Sequence, residues 1–346
     1  MIRYLEQEEK ILTKPLYQEA FFEDSAGFVK YYYSEKIKDN RILADIEESV
    51  KSMIMLNPYN ISVFNKKYYL DYIVAVATKK EYKRQGYMRR LLDKTLIDMN
   101  EIKVPFTYLI PANKDYYLPF DFSFVARKNE YNVDLSEYKK SVISGVKLDI
   151  EVAEKILDFI NTEVSKSNDV YTYRDTRYFE RELKEVASEN GFINIYLDGD
   201  DIVAYESFWG IEKVELKERI VASDIATREY GKENIMVRIT DVAELLSNFR
   251  AGKNIDIIVK INDNIIESQN AFFRIEMGKD FAKIGKIVNT EGSAFVEFAI
   301  ADFTTWIFGY AGDVKYNIVN FTDKSIAKDS LDSIKKICGI FINELV

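Results

Sequence analysis

The segment from residue 68 to residue 110 places the strongest constraint on the fold. Residues 68–78, "YYLDYIVAVAT", are rich in β-branched and aromatic types and predict a buried strand. Apolar residues then recur at helical spacing between positions 88 and 99, and residues 106–110, "FTYLI", predict a second buried strand. A strand, a helix and a second strand in this order predict a crossover connection, with Gly86 at its first turn.

Weaker patterns flank this unit in the first third of the chain, which holds all five prolines. We expect helix or loop over residues 21–33 and 41–50. Short strands are predicted over residues 52–56 and 61–64, on either side of a turn at "NPY", residues 57–59. Together these segments predict a mixed α/β unit.

Patterns in the remaining two thirds predict further strands and helices. Asp175 is the expected N-cap of a helix whose apolar residues share one face, and Asp198–Gly199–Asp200 predicts a hairpin. The segments "DIIVKINDN" and "AFFRIEMG" predict strands. Helices are expected from Asp302 and over residues 330–341, and Cys338, in the middle of the last one, is expected to be a core residue.

Length and composition indicate a globular chain of several domains. The 346 residues exceed one typical core, so two or three domains are expected, and 47% apolar with 30% charged residues is ordinary for folded proteins. No apolar run approaches the roughly 18–20 residues that span a bilayer, and no secretory signal is visible. We therefore expect a cytoplasmic protein without a membrane partner. The net charge of −9 disfavours a nucleic-acid partner and is compatible with a cationic substrate.

The absence of histidine limits the chemistry more sharply than any other count. With no histidine and a single cysteine, the chain forms neither a Ser-His-Asp nor a Cys-His nucleophile pair. Histidine and cysteine-rich zinc sites are excluded as well. The composition leaves a carboxylate-only metal site open, but no calcium-loop pattern is visible and no metal is expected. Acids and bases of an enzyme would be carboxylates, lysines, tyrosines or a chain terminus.

The turn at Gly86 has the composition of a phosphate-binding site. A helix N-terminus presents several backbone N–H groups, and glycine allows a ligand to approach closely. Six cations surround the turn: Lys79, Lys80, Lys83, Arg84, Arg89 and Arg90. The second glycine of the Walker and dinucleotide fingerprints is missing. On spacing alone, a solvated basic turn leading into a core helix explains the pattern equally well.

The segment "VATKKEYKRQGYMRRLL" resembles the acetyl-CoA motif of the GNAT superfamily of N-acetyltransferases. Residues 83–88 match the pyrophosphate loop, with departures at Lys83 and Met88. The segment "YYLPFDFSFV", residues 116–125, resembles a later motif that lies near the thioester. The resemblance implies acetyl-CoA as co-substrate. It implies coenzyme contacts at Val76, Ala77, Thr78, Arg84, Gln85, Gly86, Tyr87, Met88, Arg89 and Leu118.

The whole chain resembles one subfamily, the enhanced-intracellular-survival acetyltransferases. This resemblance implies an α/β (α+β) fold with two GNAT-like mixed-sheet domains, at residues 1–128 and 129–232. A sterol-carrier-protein-like α+β domain would follow at residues 233–346, with a tail that returns to the active site. The segments "IMVRITDVAELLSNF" and "AFVEFAIADFTTWIFGYAG" are similar to parts of that third domain. Subfamily members form symmetric oligomers, so a homo-oligomer, often a hexamer, is implied.

The same resemblance implies the catalytic groups. In the subfamily the base is the C-terminal carboxylate, here that of Val346, and the apolar tail "GIFINELV" favours docking over fraying. Phe122 stands where the family's acid is a tyrosine, and Asp121 where glycine is usual. Tyr117 occupies the position of the acid in many other GNAT enzymes and is the expected substitute, with a core tyrosine as the alternative.

The resulting hypothesis is an acetyl-CoA-dependent N-acetyltransferase. Its acceptor would be a primary amine of a small cationic molecule, aminoglycoside- or polyamine-like, and the acetyl group would pass to it directly. The departures at Asp121 and Phe122 support an alternative, a non-catalytic or degenerate protein that binds acyl-CoA or an apolar ligand. The cluster "YTYRDTRYF", residues 171–179, is interpreted as helix packing, with a substrate groove as the alternative.

Overall fold

The computed structural model describes residues 1–147, 149–288 and 292–344. In chain order the strands are β1 (Ile2–Tyr4), β2 (Arg41–Ile46), β3 (Val50–Val63), β4 (Lys66–Thr78), β5 (Phe106–Leu109), β6 (Ser123–Asn132), β7 (Lys139–Ile143), β8 (Val170–Thr172), β9 (Phe192–Asp198), β10 (Asp201–Trp209), β11 (Glu215–Val221), β12 (Thr227–Ile239), β13 (Ile255–Asn262), β14 (Phe272–Met277), β15 (Ala282–Ile287), β16 (Phe295–Ala299), β17 (Asn317–Val319) and β18 (Ile340–Phe341).

The α-helices alternate with these strands and cover the faces of the sheets. They are α1 (Lys14–Ala20), α2 (Ala26–Ser34), α3 (Tyr87–Glu101), α4 (Ile150–Lys166), α5 (Thr176–Ser188), α6 (Val242–Leu246), α7 (Ile300–Ile307) and α8 (Lys324–Ser333). Short 3₁₀ helices include Lys114–Tyr116 and Leu118–Phe120, which connect β5 to β6.

The first sheet has nine strands and contains segments from the whole chain. Its main path runs β1-β2-β3-β4-β5-β12-β6, so β12 lies between two strands of the N-terminal third. β8 adds to the far end of β3, and β18 from the C-terminal tail adds to β8. The tail is thereby fixed to the same sheet that carries the predicted crossover. The division of the chain at residues 128 and 232 stays a prediction.

Helix α3 packs on one face of this sheet. Its apolar residues recur every three to four positions, so they form a single stripe that faces β2, β3 and β4. The buried residues of the helix are Leu91, Leu92, Thr95, Leu96 and Met99. The opposite face of the sheet is covered by α1 and α2, and α2 in turn contacts α5. The crossover predicted from residues 68–110 is therefore confirmed.

The other two sheets follow later in the chain. β11-β10-β9-β7 form an antiparallel sheet that α4 and α5 cover, and Asp175 caps α5 as predicted by accepting a hydrogen bond from the Tyr178 N–H. β15-β14-β13-β16-β17 form a third sheet, mixed because β13 and β16 are parallel. The prediction of an α+β chain built on mixed sheets is confirmed. No helix in the described ranges is long and apolar enough to cross a membrane.

Several local predictions were wrong where tertiary pairing decides the structure. Residues 52–63 belong to one continuous strand, β3, rather than to two strands around a turn. On the edge away from β4, β3 pairs with β2 up to Leu56 and with β8 from Ile61. Pro58 lies between these two, where no strand of the described residues pairs with that edge. Residues 41–46 form strand β2 because β1 and β3 pair with both of its edges.

The end of the chain also differs from its prediction. α8 ends at Ser333, and the chain continues in an extended form to β18 instead of forming a helix over residues 330–341. Gly339 has φ of 75°, a left-handed conformation that does not continue an α-helix. Cys338 is exposed and outside any helix, so its assignment to the core was wrong.

Candidate active site

The two central strands of the first sheet separate after one residue pair. β4 and β5 run parallel, and their register contains the single pair Tyr72 and Tyr108, whose rings stack at 5.5 Å. Beyond this pair, residues 73–78 of β4 have no strand partner on the β5 side within the described residues. The backbone N–H and C=O groups along this edge are therefore available to an extended ligand. We call the Tyr72–Tyr108 pair the vertex of the cleft.

A β-bulge turns the free end of β4 toward the cleft. Ala75 has φ of 49°, and Ala75 and Val76 together oppose one residue of β3, because Met53 pairs with Ala77 and Met55 with Val74. Such a bulge bends the strand and re-aims its backbone groups. The Ser52 hydroxyl holds the strand beyond the bulge by donating to the Ala77 carbonyl oxygen at 2.9 Å.

The turn at Gly86 forms the N-terminus of α3. Gly86 is the N-cap with φ of 79°, a left-handed conformation that glycine adopts without a Cβ clash. Gly86 has no side chain that could cap the helix, so the N-cap residue supplies no acceptor for the first N–H groups of α3. Their partial positive charge points out of the helix, which makes the turn suitable for an anion.

One cavity of about 730 Å³ connects the strand edge, the turn and the following motif. Most of the predicted coenzyme residues line it: Val76, Ala77, Thr78, Arg84, Gly86, Tyr87, Met88 and Arg89. The predicted acid Tyr117 lines the same cavity. Gln85 and Leu118 are not among its lining residues: the Gln85 amide donates to the Glu81 carbonyl oxygen, and the Leu118 side chain is 48% exposed.

Cationic and aromatic side chains line the mouth of the cavity. The Arg89 guanidinium lies over the Phe120 ring at 4.8 Å, and the Arg90 guanidinium over the Tyr87 ring at 4.4 Å. Lys83 and Arg84 are exposed beside the turn. These cations attract a polyanion electrostatically, although the net charge of the whole protein is −9.

Tyr117 is the aromatic residue of this cavity that the sequence named as the acid. Its ring packs edge-on against Phe122 at 5.9 Å, and burial raises the pKa of its hydroxyl to about 12. A phenol with this pKa stays protonated at neutral pH, as a proton donor must.

The two departures from the family pattern have structural explanations. Asp121 adopts φ of 60°, the left-handed conformation in which glycine is usual and aspartate is tolerated. Its carboxylate lies 3.9 Å from the buried Arg238 guanidinium. Phe122 is buried at 1% exposure and packs in the main core, so this position supplies no proton donor.

The C-terminal tail packs against the first sheet up to the last described residue. β18 pairs in parallel with β8, and Ile340, Phe341 and Ile342 are buried. Glu344 is also buried, and the Tyr178 hydroxyl donates to its Oε2 atom at 3.3 Å. The predicted catalytic carboxylate of Val346 lies outside the described residues.

Sequence reasoning missed a group of tyrosines on the sheet face opposite α3. Tyr59, Tyr72, Tyr108 and Tyr178 form a chain of rings with centroids 5.5–6.5 Å apart. We call these four residues the tyrosine cluster. A signal was present, because Tyr72 and Tyr108 lie in the two strands predicted to be adjacent. The family resemblance implied that the tail returns to this region, and residues 171–179 were named as helix packing or a substrate groove, but no pattern placed Tyr178 of α5 beside the strand tyrosines.

Comparisons with known proteins agree with this geometry. Residues 1–125 match the family model described as an acetyltransferase (GNAT) domain. A comparison with curated proteins finds no match. A solved structure from Enterococcus faecalis V583, described as a probable N-acyltransferase, is 16% identical with a TM-score of 0.79, and the similarity covers 99% of this chain and 98% of that chain.

Two further solved structures are similar over the full length. A GCN5-related N-acetyltransferase from Anabaena variabilis has a TM-score of 0.74 at 12% identity, and the similarity covers 100% of this chain and 100% of that chain. Eis1 from Mycobacterium abscessus has a TM-score of 0.68 at 9% identity, with 98% of this chain and 99% of that chain covered. At these identities the similarity establishes the common fold. With the family match over residues 1–125, the chain carries an N-terminal acetyltransferase (GNAT) domain, and its assignment as an N-acetyltransferase is confirmed.

Proposed function

We propose that the protein transfers an acetyl group from acetyl-CoA directly to a primary amine of a small cationic molecule, such as an aminoglycoside or a polyamine. The observation that carries this proposal is the single cavity that joins the free edge of β4, the uncapped N-terminus of α3 and the Tyr117 side chain. Its lining includes Lys83, Arg84 and Arg89 around the turn, together with uncharged aromatic side chains, and this suits a ligand that has both an anionic diphosphate and an uncharged thioester.

Each part of the coenzyme has a suitable partner along the cavity. The N–H groups after Gly86 would bind the diphosphate, with Arg84 and Arg89 beside it. The edge of β4 at Val76–Thr78 would pair with the pantetheine arm, whose amides alternate donors and acceptors as a strand does. Backbone N–H groups near the bulge would polarise the thioester carbonyl.

The reaction needs a proton acceptor and a proton donor. The amine is nucleophilic only after its ammonium form has lost a proton, and the thiolate that leaves takes up a proton. Tyr117 is the proposed donor, because its high pKa keeps it protonated and it lines the cavity. The carboxylate of Val346 is the proposed acceptor. This proposal is supported by the docked tail, because the chain packs against the protein as far as the buried Glu344, two residues before Val346.

Three other features stay proposals that rest on the family resemblance. The third sheet with α6, α7 and α8 would be the sterol-carrier-protein-like domain. The protein would act in the cytoplasm as a homo-oligomer, with a hexamer as the form implied by the subfamily. No nucleic acid is expected as a partner.

A thiol-release assay tests the proposed function. The protein is incubated with acetyl-CoA and separate amines from a panel of aminoglycosides and polyamines, and free CoA thiol is followed over time. The exposed Cys338 reacts with the same reagent, so the assay is run in a Cys338→Ser background. We expect amine-dependent thiol release and an acetylated amine of the matching mass.

The role of Tyr117 is tested in the same assay. Tyr117→Phe should lower kcat by about 100- to 10,000-fold, the usual range for loss of a positioned acid, while CoA binding is retained. Tyr230→Phe removes an exposed hydroxyl on β12 and should have no effect. An unchanged rate in Tyr117→Phe would exclude this residue as the acid. If no amine on the panel releases thiol while CoA still binds, the degenerate coenzyme-binding protein, favoured by Phe122, becomes the better assignment.

A further inference from the structure

The antiparallel sheet β11-β10-β9-β7 carries an open groove between α4 and its edge strand β7. The helix packs mainly over β8, β10 and β11, so the side of the sheet near β7 is only partly covered. The groove has a volume of about 520 Å³. This volume lies within the range of about 300–1,000 Å³ that small-molecule sites occupy.

One small side chain accounts for the hollow beside α4. Residues that face each other in an antiparallel pair of strands lie on the same side of the sheet. Ile143 of β7 faces Ile193 of β9, whereas Ser141 faces Ile195, and both Ser141 and Ile195 line the groove. An aliphatic residue in place of Ser141 would complete the apolar layer, so the serine leaves space for a ligand.

The walls of the groove are aliphatic and partly open to solvent. Among the lining residues, Ile156 and Ile195 are buried, Leu197 and Ile202 are half-buried, and Val142 is 54% exposed. Burial of such apolar surface is favourable, and a contiguous exposed apolar patch marks a place where a ligand or a partner binds.

The charges beside this apolar surface favour an anion. Lys147 precedes α4 and Lys155 lies on it, and neither ammonium group has an ion-pair partner among residues 1–147, 149–288 and 292–344. Asp200, in the β9–β10 hairpin, is the one carboxylate among the described lining residues, so the two lysines outnumber it. The Ser144 hydroxyl is a further hydrogen-bond donor for an anionic head group.

The lysines also argue against a second copy of this chain as the occupant. A two-fold contact would place Lys147 and Lys155 of both copies in one interface. Lys139 and Lys140 are exposed on β7, and exposed lysines oppose pairing of an edge strand with another chain. An alkyl chain with an anionic head group, by contrast, satisfies both the apolar walls and the unpaired cations.

We propose that this groove binds a medium-chain fatty acid. The alkyl chain would lie on the aliphatic walls between β7 and α4, and the carboxylate would meet the Lys147 and Lys155 ammonium groups. Within the described residues, the groove shares no lining residue with the cavity at Gly86. Binding here therefore does not compete with the coenzyme, and the inference is independent of the proposed transfer reaction.

Calorimetry of the full-length protein with decanoate tests this inference. CoA is kept in excess, so that the fatty acid is not measured as a ligand of the coenzyme cavity. Hexanoate, which has a shorter chain, and 1-decanol, which has no charge, are titrated in the same way. Each buried methylene group contributes about fourfold in affinity, so decanoate should bind at least about 10-fold more tightly than hexanoate.

Replacement of Ser141 by leucine fills the hollow from the edge strand. Ser141→Leu should weaken decanoate binding at least about 10-fold, because the added side chain occupies the space of the alkyl chain. The unfolding temperature should stay level or rise, since the leucine buries apolar area. Ser223→Leu makes the same change at an exposed turn after β11 and should leave decanoate affinity unchanged.

Removal of the two cations tests the contact with the head group separately. In Lys147→Gln/Lys155→Gln, decanoate affinity should fall about 3- to 20-fold, since each exposed ion pair contributes up to about fivefold. The affinity for 1-decanol should not change. Lys324→Gln/Lys328→Gln removes two exposed charges from α8 and should leave both affinities at the wild-type value.

Several results would overturn the inference. Absence of decanoate binding to the wild type, or equal affinity for decanoate and hexanoate, would show that the groove holds no alkyl chain. Unchanged decanoate affinity in both Ser141→Leu and the lysine variant would place the ligand elsewhere on the protein. If decanoate does not bind and Ser141→Leu alters the particle mass in light scattering, the groove is instead a contact between copies of the chain.

Discussion

Replacement of Gly86 by alanine tests whether the turn before α3 binds the coenzyme. At φ of 79° an L-residue with a Cβ is strained by about 1–2 kcal/mol, and the added methyl group would meet the Arg90 guanidinium at 3.4 Å. The same methyl group would stand where the diphosphate approaches the N–H groups of the helix. Loss of one charge-assisted hydrogen bond costs about 1.5–3 kcal/mol, so CoA affinity measured by calorimetry should fall about 10- to 100-fold.

A second glycine provides the matched control for this substitution. Gly199 in the β9–β10 hairpin has φ of 60°, and nothing lies within 4 Å of the position of an added Cβ. Gly199→Ala should therefore cause a similar loss of stability without any change in CoA affinity. Equal CoA affinity in the two variants would refute the reasoning, because backbone strain would then be the only consequence of a methyl group at Gly86.

Two further predictions concern stability. Burial opposes ionisation of Glu185, but its two lysine partners outweigh that effect and hold the pKa at about 2. Since this pKa lies below the ordinary carboxyl value, its contribution of about 3 kcal/mol is present above pH 4.5 and is lost as the pH falls toward 2. Glu185→Gln should thus destabilise the protein at pH 7, and urea unfolding should show the difference shrinking below pH 4.5. Asp263→Ala should cost about 3–5 kcal/mol in the same assay, because it leaves the fully buried Arg238 guanidinium with only the more distant Asp121 carboxylate, at 3.9 Å. Asp256→Ala removes one member of a half-exposed pair and should change stability by less than about 1 kcal/mol; an equal loss in both variants would show that burial does not set the cost of losing an ion pair here.

The elements that sequence patterns predicted well are those stabilised by contacts close in the chain. Strand β4, helix α3 and strand β5 have strong local periodicity, and they lie within 44 residues of one another. The turn between β4 and α3 was placed correctly because only glycine gives that left-handed N-cap without strain. The mouth of the cavity, from Val76 to Arg89, follows from this short segment.

The elements that were missed depend on partners far away in the chain. β12 lies between β5 and β6 although about 100 residues of sequence separate it from either strand, and no local pattern encodes that insertion. β18 consists of two residues, too short for a periodic signal, and it exists because β8 offers an unpaired edge. The helix predicted over residues 330–341 failed for the same reason, since strand pairing prevailed over an apolar spacing.

Predicting the tyrosine cluster would have required both local sequence patterns and long-range packing. Tyr72 and Tyr108 were visible as members of two adjacent strands, but α5 and the C-terminal tail bring Tyr178 and Glu344 to them. These two residues are separated from the strands by more than 60 positions, so their contact depends on the packing of the second sheet. The opposite holds for Phe122, which stands where the family's acid is a tyrosine. The sequence alone showed this departure, and the structure explains it, because Phe122 packs in the main core.

A crystal structure of the protein grown with CoA is the most direct measurement for the site as a whole. The diphosphate oxygens should lie within about 2.7–3.2 Å of the N–H groups that follow Gly86. The pantetheine arm should run along residues 76–78, and the thiol should end near Tyr117 and the Tyr72–Tyr108 vertex. Coenzyme density elsewhere on the protein, with this cavity filled only by water, would contradict the proposed coenzyme site.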